Sequence, residues 1–200
     1  MDHPAVNPLS TRHPDLMSAG ETALVVVDVQ EKLVPVIPNY HALIWQIRRL
    51  VDAARLVENP VIATEQYPQG LGPTVSILSE SLPQAFEKKC FSAIECLEPF
   101  RELREKDIFR ILLTGIEAHV CIQQTALDLQ TMGFRVYVAV DAVSSRHKLD
   151  YEWALRRMES SGVILTTAEA VLFEWCQSAA APAWKAGIRD LVRENAPESD

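Results

Sequence analysis

The chain has 200 residues, of which 48% are hydrophobic and 23% are charged. This length suits one domain with a sizeable core, and the composition is that of an ordinary globular protein rather than a disordered one. The formal net charge of −8 argues against a general nucleic-acid surface, because phosphate binding needs clustered Lys and Arg side chains.

The first 20 residues contain three prolines and show no periodicity, so we expect an N-terminal arm over residues 1–20 and a single domain over residues 21–195. Strands are predicted at Thr22–Val29, Val61–Thr64, a short segment ending near Lys88, Ile108–Leu113, Arg135–Val140 and Val163–Leu165. Helices are predicted at about Asn39–Glu58 and Ile94–Lys106, from the region of Cys121, at Tyr151–Ser160, and from Ala168 and Pro182.

Strands that alternate with helices and are apolar along their whole length predict a parallel sheet covered on both faces. In such sheets, ligands bind beyond the carboxyl ends of the strands, where the strand order reverses. Asp28, Lys88 and Cys121 each end or follow a predicted strand, so all three are expected at that edge. The connection Glu65–Thr74, which is rich in Gly and Pro, is long enough to indicate a functional loop.

Each of these three residues also has a structural interpretation when it is taken alone. Cys121 at a helix start would favour a thiolate, but this stretch alone favours a buried inert cysteine that packs the helix against the sheet. Asp28 could cap the turn after the first strand, and Lys88 and Lys89 could be surface lysines. His119 lies only two residues from Cys121, which places the two side chains on roughly opposite sides of a helix. This spacing argues against a catalytic Cys-His pair.

Three separated motifs carry a family resemblance: Val27–Gln30, the segment from Lys88 to Ser92, and Gly115–Cys121, in that order. Together with the segment Asp141–Arg146, they resemble the isochorismatase-like cysteine hydrolases, over roughly residues 22–175. That family includes nicotinamidases and N-carbamoylsarcosine amidohydrolase. The chain is most similar to the branch of isochorismatase domain-containing proteins, through the loop Thr64–Thr74 and the segment Gly115–Gln124.

The resemblance implies a single-domain, three-layer αβα sandwich with a doubly wound, parallel, six-stranded sheet of order 3-2-1-4-5-6. It also implies a catalytic triad of Asp28, Lys88 and Cys121, in which Lys88 is preferred to Lys89 because it stands three residues before Phe91. A cis peptide between Ile116 and Glu117 is expected, as is an oxyanion hole formed by the backbone N–H groups of Glu117 and Cys121.

The implied activity is hydrolysis of a C–N or related bond of a small molecule through a covalent thioester, without a cofactor. The expected pocket wall consists of Gln30, Leu33, Gln66, Tyr67, Phe91, Ile116 and Val120. Nicotinamidases of the family bind a metal through an Asp-x-His pair and a further His. The corresponding region here, Thr64–Tyr67, has no histidine, so no metal is expected.

Two other functions stay open at this point. One is acid–base hydrolysis of a vinyl ether by Asp28 without the cysteine, as in isochorismatase, and the other is a non-catalytic interaction protein with the same fold. Self-association as a dimer or tetramer is expected from the family. It is also expected from four aromatic residues that we predict to be exposed, which are Trp153, Phe173, Trp175 and Trp184.

The four cysteines contain no C-x-x-C pair and have no zinc-like spacing to the five histidines, so they do not resemble a disulfide framework. A reducing compartment is the simpler setting. No signal-peptide pattern begins the chain, and no apolar run approaches membrane-spanning length. We therefore expect a soluble, cytoplasmic protein with no membrane partner.

Overall fold

The computed structural model describes residues 12–197. Its six strands are β1 (Thr22–Val27), β2 (Val61–Gln66), β3 (Phe86–Lys88), β4 (Arg110–Ile116), β5 (Arg135–Ser144) and β6 (Ile164–Thr166). They form one sheet of order β3-β2-β1-β4-β5-β6, in which all neighbours are parallel. The predicted fold class and strand order are confirmed.

The helices are α1 (Tyr40–Leu56), α2 (Pro68–Leu71), α3 (Ser76–Ser79), α4 (Leu97–Glu105), α5 (Gln123–Thr131), α6 (Lys148–Ser160), α7 (Ala168–Cys176) and α8 (Arg189–Arg193). Short 3-10 turns lie at Val34–Val36 and Ala93–Glu95, and π-helical turns lie at Ala118–Ile122 and Trp184–Ile188. No helix within residues 12–197 is long and apolar enough to cross a membrane.

The sheet separates two hydrophobic cores because successive side chains of a strand point to opposite faces. Leu24 and Val26 of β1 pack with α1 and α7, whereas Ala23 and Val25 pack with α4, α5 and α6. All six residues of β1 are buried, as expected for a central strand of a covered parallel sheet.

Several element boundaries differ from the prediction. β1 ends at Val27 rather than Val29, because Asp28 has a left-handed backbone conformation with φ of 56° that a strand cannot contain. β4 begins at Arg110 and continues to Ile116, and β5 extends to Ser144 through a register shift opposite Leu113 and Gly115. α6 begins at Lys148, three residues before the predicted start.

The described part of the N-terminal arm, residues 12–20, packs against its own domain. Met17 is fully buried in the core beneath α1 and α7. Its backbone N–H donates to Glu174 Oε2 at 2.7 Å, and Arg12 Nη2 donates to the Glu174 carbonyl at 2.9 Å. These residues lack helix and strand, as expected, but they belong to the folded unit. Residues 1–11 of the predicted arm lie outside the described residues.

The predicted exposure of the late aromatic residues is correct for two of the four. Trp153 and Phe173 are 59% and 48% exposed. Trp175 was expected at the surface but is only 2% exposed, because it lies on the face of α7 that packs into the core with Val171. Trp184 is partly buried and contacts the ring of Phe173, with 5.7 Å between ring centroids.

Candidate active site

A buried ion pair joins the end of β1 to the end of β3. Asp28 directly follows β1, and its Oδ2 atom lies 2.6 Å from Lys88 Nζ. The second carboxylate oxygen, Oδ1, accepts a hydrogen bond of 2.8 Å from the hydroxyl of Thr64. Both charged side chains have 0% exposure, so each depends on the other for the electrostatic stabilisation that water would otherwise supply.

The ammonium group of Lys88 is held by four oxygen atoms although it carries only three N–H bonds. Besides Asp28, it donates to Gln66 Oε1 at 2.7 Å, to the Phe91 carbonyl at 3.1 Å and to the Cys90 carbonyl at 3.3 Å. Lys89, the alternative lysine, is exposed. The structure therefore brings Lys88, and not Lys89, to Asp28.

Asp28 itself adopts a conformation that is uncommon for a residue with a side chain. Its φ of 56° lies in the left-handed region, which Asp tolerates better than most residues but which costs about 1–3 kcal/mol. Its backbone N–H donates to the Thr64 carbonyl at 3.1 Å. The surrounding strands thus hold the carboxylate in a direction that an extended strand residue would not give.

Cys121 lies in the π-helical turn Ala118–Ile122, which joins β4 to α5. The peptide bond between Ile116 and Glu117, just before this turn, is cis. The Cys121 side chain is nearly buried, with 5% exposure, and it interacts with both Asp28 and Lys88. The three residues proposed as a triad therefore come together at the carboxyl edge of the sheet.

The protonation state of Cys121 differs from the expectation of a stabilised thiolate. Burial, and after it the Asp28 carboxylate, raise the pKa of the Cys121 thiol to about 12, and Lys88 offsets only part of this rise. The reason is that the charge of Lys88 is already balanced by its closest neighbour, Asp28. At neutral pH the resting group is therefore a thiol, which must lose its proton to become a nucleophile.

Gln30 and Gln66 fix the long loop after β2. The Gln30 side-chain oxygen accepts from the Gln66 backbone N–H at 2.8 Å, and Gln30 Nε2 donates to the carbonyls of Gln66 and Gly72 at 3.0 and 2.6 Å. Gln66 Nε2 donates in turn to the Lys89 carbonyl at 2.7 Å. The amide groups of these two expected pocket residues therefore support the loop and the lysine.

The other residues expected in the pocket wall lie at different depths. Tyr67 and Phe91 are 51% and 53% exposed and lie on the loops around the buried triad. Leu33 and Val120 are partly buried, each packed against one of the two cores. Ile116 is fully buried within the core.

Further polar partners of the site depend on contacts between distant segments. Thr64 on β2 could be inferred from sheet register, because it pairs with Val27, the neighbour of Asp28. Ser145 Oγ lies 2.9 Å from His119 Nδ1, so the imidazole is engaged with the loop after β5. Asp141 accepts a hydrogen bond of 2.8 Å from the backbone N–H of Ala168, the first residue of α7.

The metal site of the nicotinamidase branch does not fit the residues present here. Within the described part of the chain, no group of three or more His, Cys, Asp and Glu side chains is placed to hold a metal ion. Glu65, the carboxylate nearest the start of the long loop, accepts hydrogen bonds from the backbone and hydroxyl of Thr74 at 2.7 and 2.8 Å. Its Oε1 atom is therefore used to stabilise the loop.

Comparison with known proteins agrees with the resemblance seen in the sequence. The family model described as Isochorismatase domain matches residues 22–170. Isochorismatase domain-containing protein 2 of Macaca fascicularis is 42% identical over 181 residues, which cover 90% of this chain and 87% of that protein.

Two solved structures extend this likeness to the coordinates. A structure described as MAR1 ribonuclease from Caenorhabditis elegans has a TM-score of 0.85 and 41% identity, covering 92% of this chain and 95% of its own. Pyrazinamidase of Pyrococcus horikoshii in complex with zinc has a TM-score of 0.63 and 25% identity, covering 74% of this chain and 99% of its own.

Proposed function

Since the chain belongs to the isochorismatase domain family, we propose that it is a cysteine hydrolase that cleaves a C–N or related bond of a small molecule. The observation that carries this proposal is the buried Asp28–Lys88 ion pair beside the Cys121 thiol. A buried ion pair of this kind is costly to form, and groups with a shifted pKa, as the Cys121 thiol has, cluster at functional sites.

In the first step, Cys121 Sγ attacks the carbonyl carbon of the substrate while Asp28 accepts the thiol proton. The resulting oxyanion would be held by the backbone N–H groups of Glu117 and Cys121. When this intermediate collapses, the C–N bond breaks and Asp28 gives its proton to the leaving nitrogen. A thioester on Cys121 remains.

In the second step, water attacks the thioester and Asp28 takes one of its protons. The carboxylic acid product leaves, and the proton returns to the sulfur of Cys121. Lys88 stabilises the negative charge on Asp28 and on the sulfur throughout. Because its ammonium is held by four oxygen atoms, Lys88 acts as a fixed charge rather than as a group that moves toward the substrate.

One observation favours a second candidate function. The raised pKa of Cys121 leaves the thiol neutral at rest, and a neutral thiol is also compatible with acid–base hydrolysis of a vinyl ether by Asp28 alone. The two functions make different demands on the sulfur. Replacing Cys121 by Ser would spare the acid–base reaction and stop the thioester route.

The Caenorhabditis elegans relative is named a ribonuclease, but we do not extend that activity to this chain. RNA binding depends on Lys and Arg side chains that reach phosphates, and the formal net charge here is −8. Lys88, the cation of the site, is buried and saturated with oxygen partners. A small neutral substrate suits this site better.

We also propose that the protein forms a homo-oligomer, a dimer or a tetramer. The support is that Trp153 on α6 and Phe173 on α7 expose large aromatic surfaces, at 59% and 48%. Aromatic residues are enriched at subunit interfaces. Light scattering of the eluting peak in size-exclusion chromatography measures the mass directly, and a mass of one chain at micromolar concentration would contradict the proposal.

The test of the proposed hydrolase is a screen of small amides and esters, followed by intact mass spectrometry of rapidly quenched reactions. We expect acyl adducts on Cys121 and loss of turnover in Cys121→Ala. Cys176→Ala is the matched control, because Cys176 is also buried but ends α7 and packs in the core on the other face of the sheet. A fully active Cys121→Ala variant would overturn the cysteine mechanism. An active Cys121→Ser variant without adducts would favour the acid–base alternative.

A further inference from the structure

The pairing between β4 and β5 ends at Ile116 and Ser144. Beyond this pair, side-chain contacts join the segments that follow the two strands. The Glu117 carboxylate accepts a hydrogen bond of 2.9 Å from the backbone N–H of Arg146. Arg146 Nε lies 3.1 Å from each carboxylate oxygen, and Nη2 lies 2.5 Å from Oε1. Both oxygens of Glu117 are therefore bound by one arginine.

The two side chains of this pair differ in burial, and the more buried one depends more strongly on its partner. The Glu117 side chain is 6% exposed, whereas that of Arg146 is 49% exposed. Burial alone would raise the pKa of Glu117, but the hydrogen bonds and charge of Arg146 outweigh it and lower the pKa. Glu117 is thus a buried carboxylate that requires Arg146 as its partner.

The preceding residue of the same loop makes a second attachment. Ser145 Oγ accepts a hydrogen bond of 3.4 Å from the backbone N–H of His119 and lies 2.9 Å from His119 Nδ1. Two consecutive loop residues, Ser145 and Arg146, therefore hold Glu117 and His119. These two contacts lie at the start of the turn that carries Cys121.

We propose that Arg146 is a positioning residue for the reaction, which holds Glu117 so that the Glu117 N–H meets the oxyanion formed during attack by Cys121. This inference rests on the proposed function, because it assumes a carbonyl substrate. Arg146 acts through Glu117 and need not touch the substrate. The contact between Arg146 and Glu117 is charge-assisted and bidentate. It therefore has a geometric specificity that a lysine in place of Arg146 would lack.

The proposal predicts an effect on one class of thiol reaction only. Acylation by p-nitrophenyl acetate passes through an oxyanion: the S–C bond forms, p-nitrophenolate leaves, and the thiol proton goes to Asp28. Alkylation by iodoacetamide forms an S–C bond at a saturated carbon, expels iodide and releases the thiol proton, without an oxyanion. Loss of Arg146 should therefore slow acylation and leave alkylation nearly unchanged.

The experiment measures both rates at Cys121 by peptide mass spectrometry, in wild type, Arg146→Ala and Arg146→Lys. We expect Arg146→Ala to slow acylation about tenfold or more, and to change alkylation less than about twofold. Arg146→Lys should recover part of the acylation rate. The control is Arg101→Ala, which removes an exposed ion pair with Glu98 on α4 and should change neither rate.

Equal changes of both rates in Arg146→Ala would overturn the proposal, since they would indicate general loosening of the turn or altered access to the sulfur. Unchanged acylation would overturn it too. If wild-type Cys121 is alkylated but never acylated, the proposed cysteine hydrolase itself fails, and the role of Arg146 fails with it. Comparing wild type with the variant thus separates the two failures.

Discussion

Gly115 of β4 lies opposite Val27 of β1, and a Cβ atom on Gly115 would stand 2.1 Å from the Val27 carbonyl oxygen. Its φ of 111° is also a conformation that side chains rarely adopt. The missing side chain lets the two central strands approach each other just before Asp28 and the Cys121 turn. This close approach is what brings the carboxylate and the thiol to one point.

Gly115→Ala is therefore expected to destabilise the fold severely, by about 4 kcal/mol or more, because backbone rather than a flexible side chain must move. Urea unfolding measures the change. Gly133→Ala is the matched control: Gly133 also has a positive φ, 86°, but nothing lies within 4 Å of its Cβ position. It should cost only the strain of about 1–2 kcal/mol. Similar losses of stability in both variants would contradict the role of the close approach between Gly115 and Val27.

Asp28→Asn should make Cys121 more reactive toward iodoacetamide at neutral pH while it abolishes hydrolysis. Removal of the carboxylate removes a cause of the raised pKa of Cys121 and leaves Lys88 free to stabilise the thiolate. Each unit by which this pKa falls gives about tenfold more thiolate. Peptide mass spectrometry measures the rate, with the exposed Cys90 in the same molecule as the internal control. Slower alkylation of Cys121 in the variant would show that Asp28 does not oppose its ionisation.

The stability of the protein should decrease at alkaline pH partly because of Cys121. The pKa of the Cys121 thiol is 9.0 in the unfolded chain and about 12 in the folded protein. Between these two pH values the folded state keeps a proton that the unfolded state releases. The contribution is complete below pH 9.0 and is lost as pH rises toward about 12. Over this range the slope in wild type should exceed that of Cys121→Ser by up to about 1.4 kcal/mol per pH unit. Urea unfolding across this range measures both slopes, and parallel curves would contradict the raised pKa.

Met17→Ala should cost about 2–5 kcal/mol, the range observed for deleting a large side chain from a core. Met17 is fully buried, whereas its neighbour Leu16 is 39% exposed. Leu16→Ala is therefore the control, with an expected loss below about 1 kcal/mol. Thermal unfolding of the two variants measures the difference. Equal stabilities would mean that residues 12–20 do not belong to the folded unit.

The fold could be predicted because the patterns that determine it lie within short stretches of the sequence. Continuous apolar runs such as Ala23–Val27 favour buried strands because they are short and rich in β-branched residues, and the alternation with helical segments leaves few topologies for a parallel sheet. The boundaries that were missed depend on contacts between strands. The left-handed Asp28 and the shift in β5 opposite Gly115 arise from how neighbouring strands meet, which no local pattern records.

The candidate site was predictable only in part. Spacing and family motifs were enough to predict that Asp28, Lys88 and Cys121 share one edge of the sheet. They did not predict the ionisation state of the sulfur, which depends on burial and on a balanced ion pair. The Glu117–Arg146 pair joins residues 29 positions apart, and no pattern in a single sequence indicates that these two residues are in contact. Trp175 was misplaced because a short amphipathic helix can turn either face inward until its neighbours are known.

The contacts of Gln30 have a consequence for protein engineering. Gln30 lies three residues after the end of β1, yet three hydrogen bonds of its side chain hold the loop that begins at Gln66. A loop transplanted from a relative would arrive without the residue that shapes it. Gln30 and the segment Gln66–Thr74 therefore form one unit that is discontinuous in sequence, and an exchange of this loop between relatives should move both together.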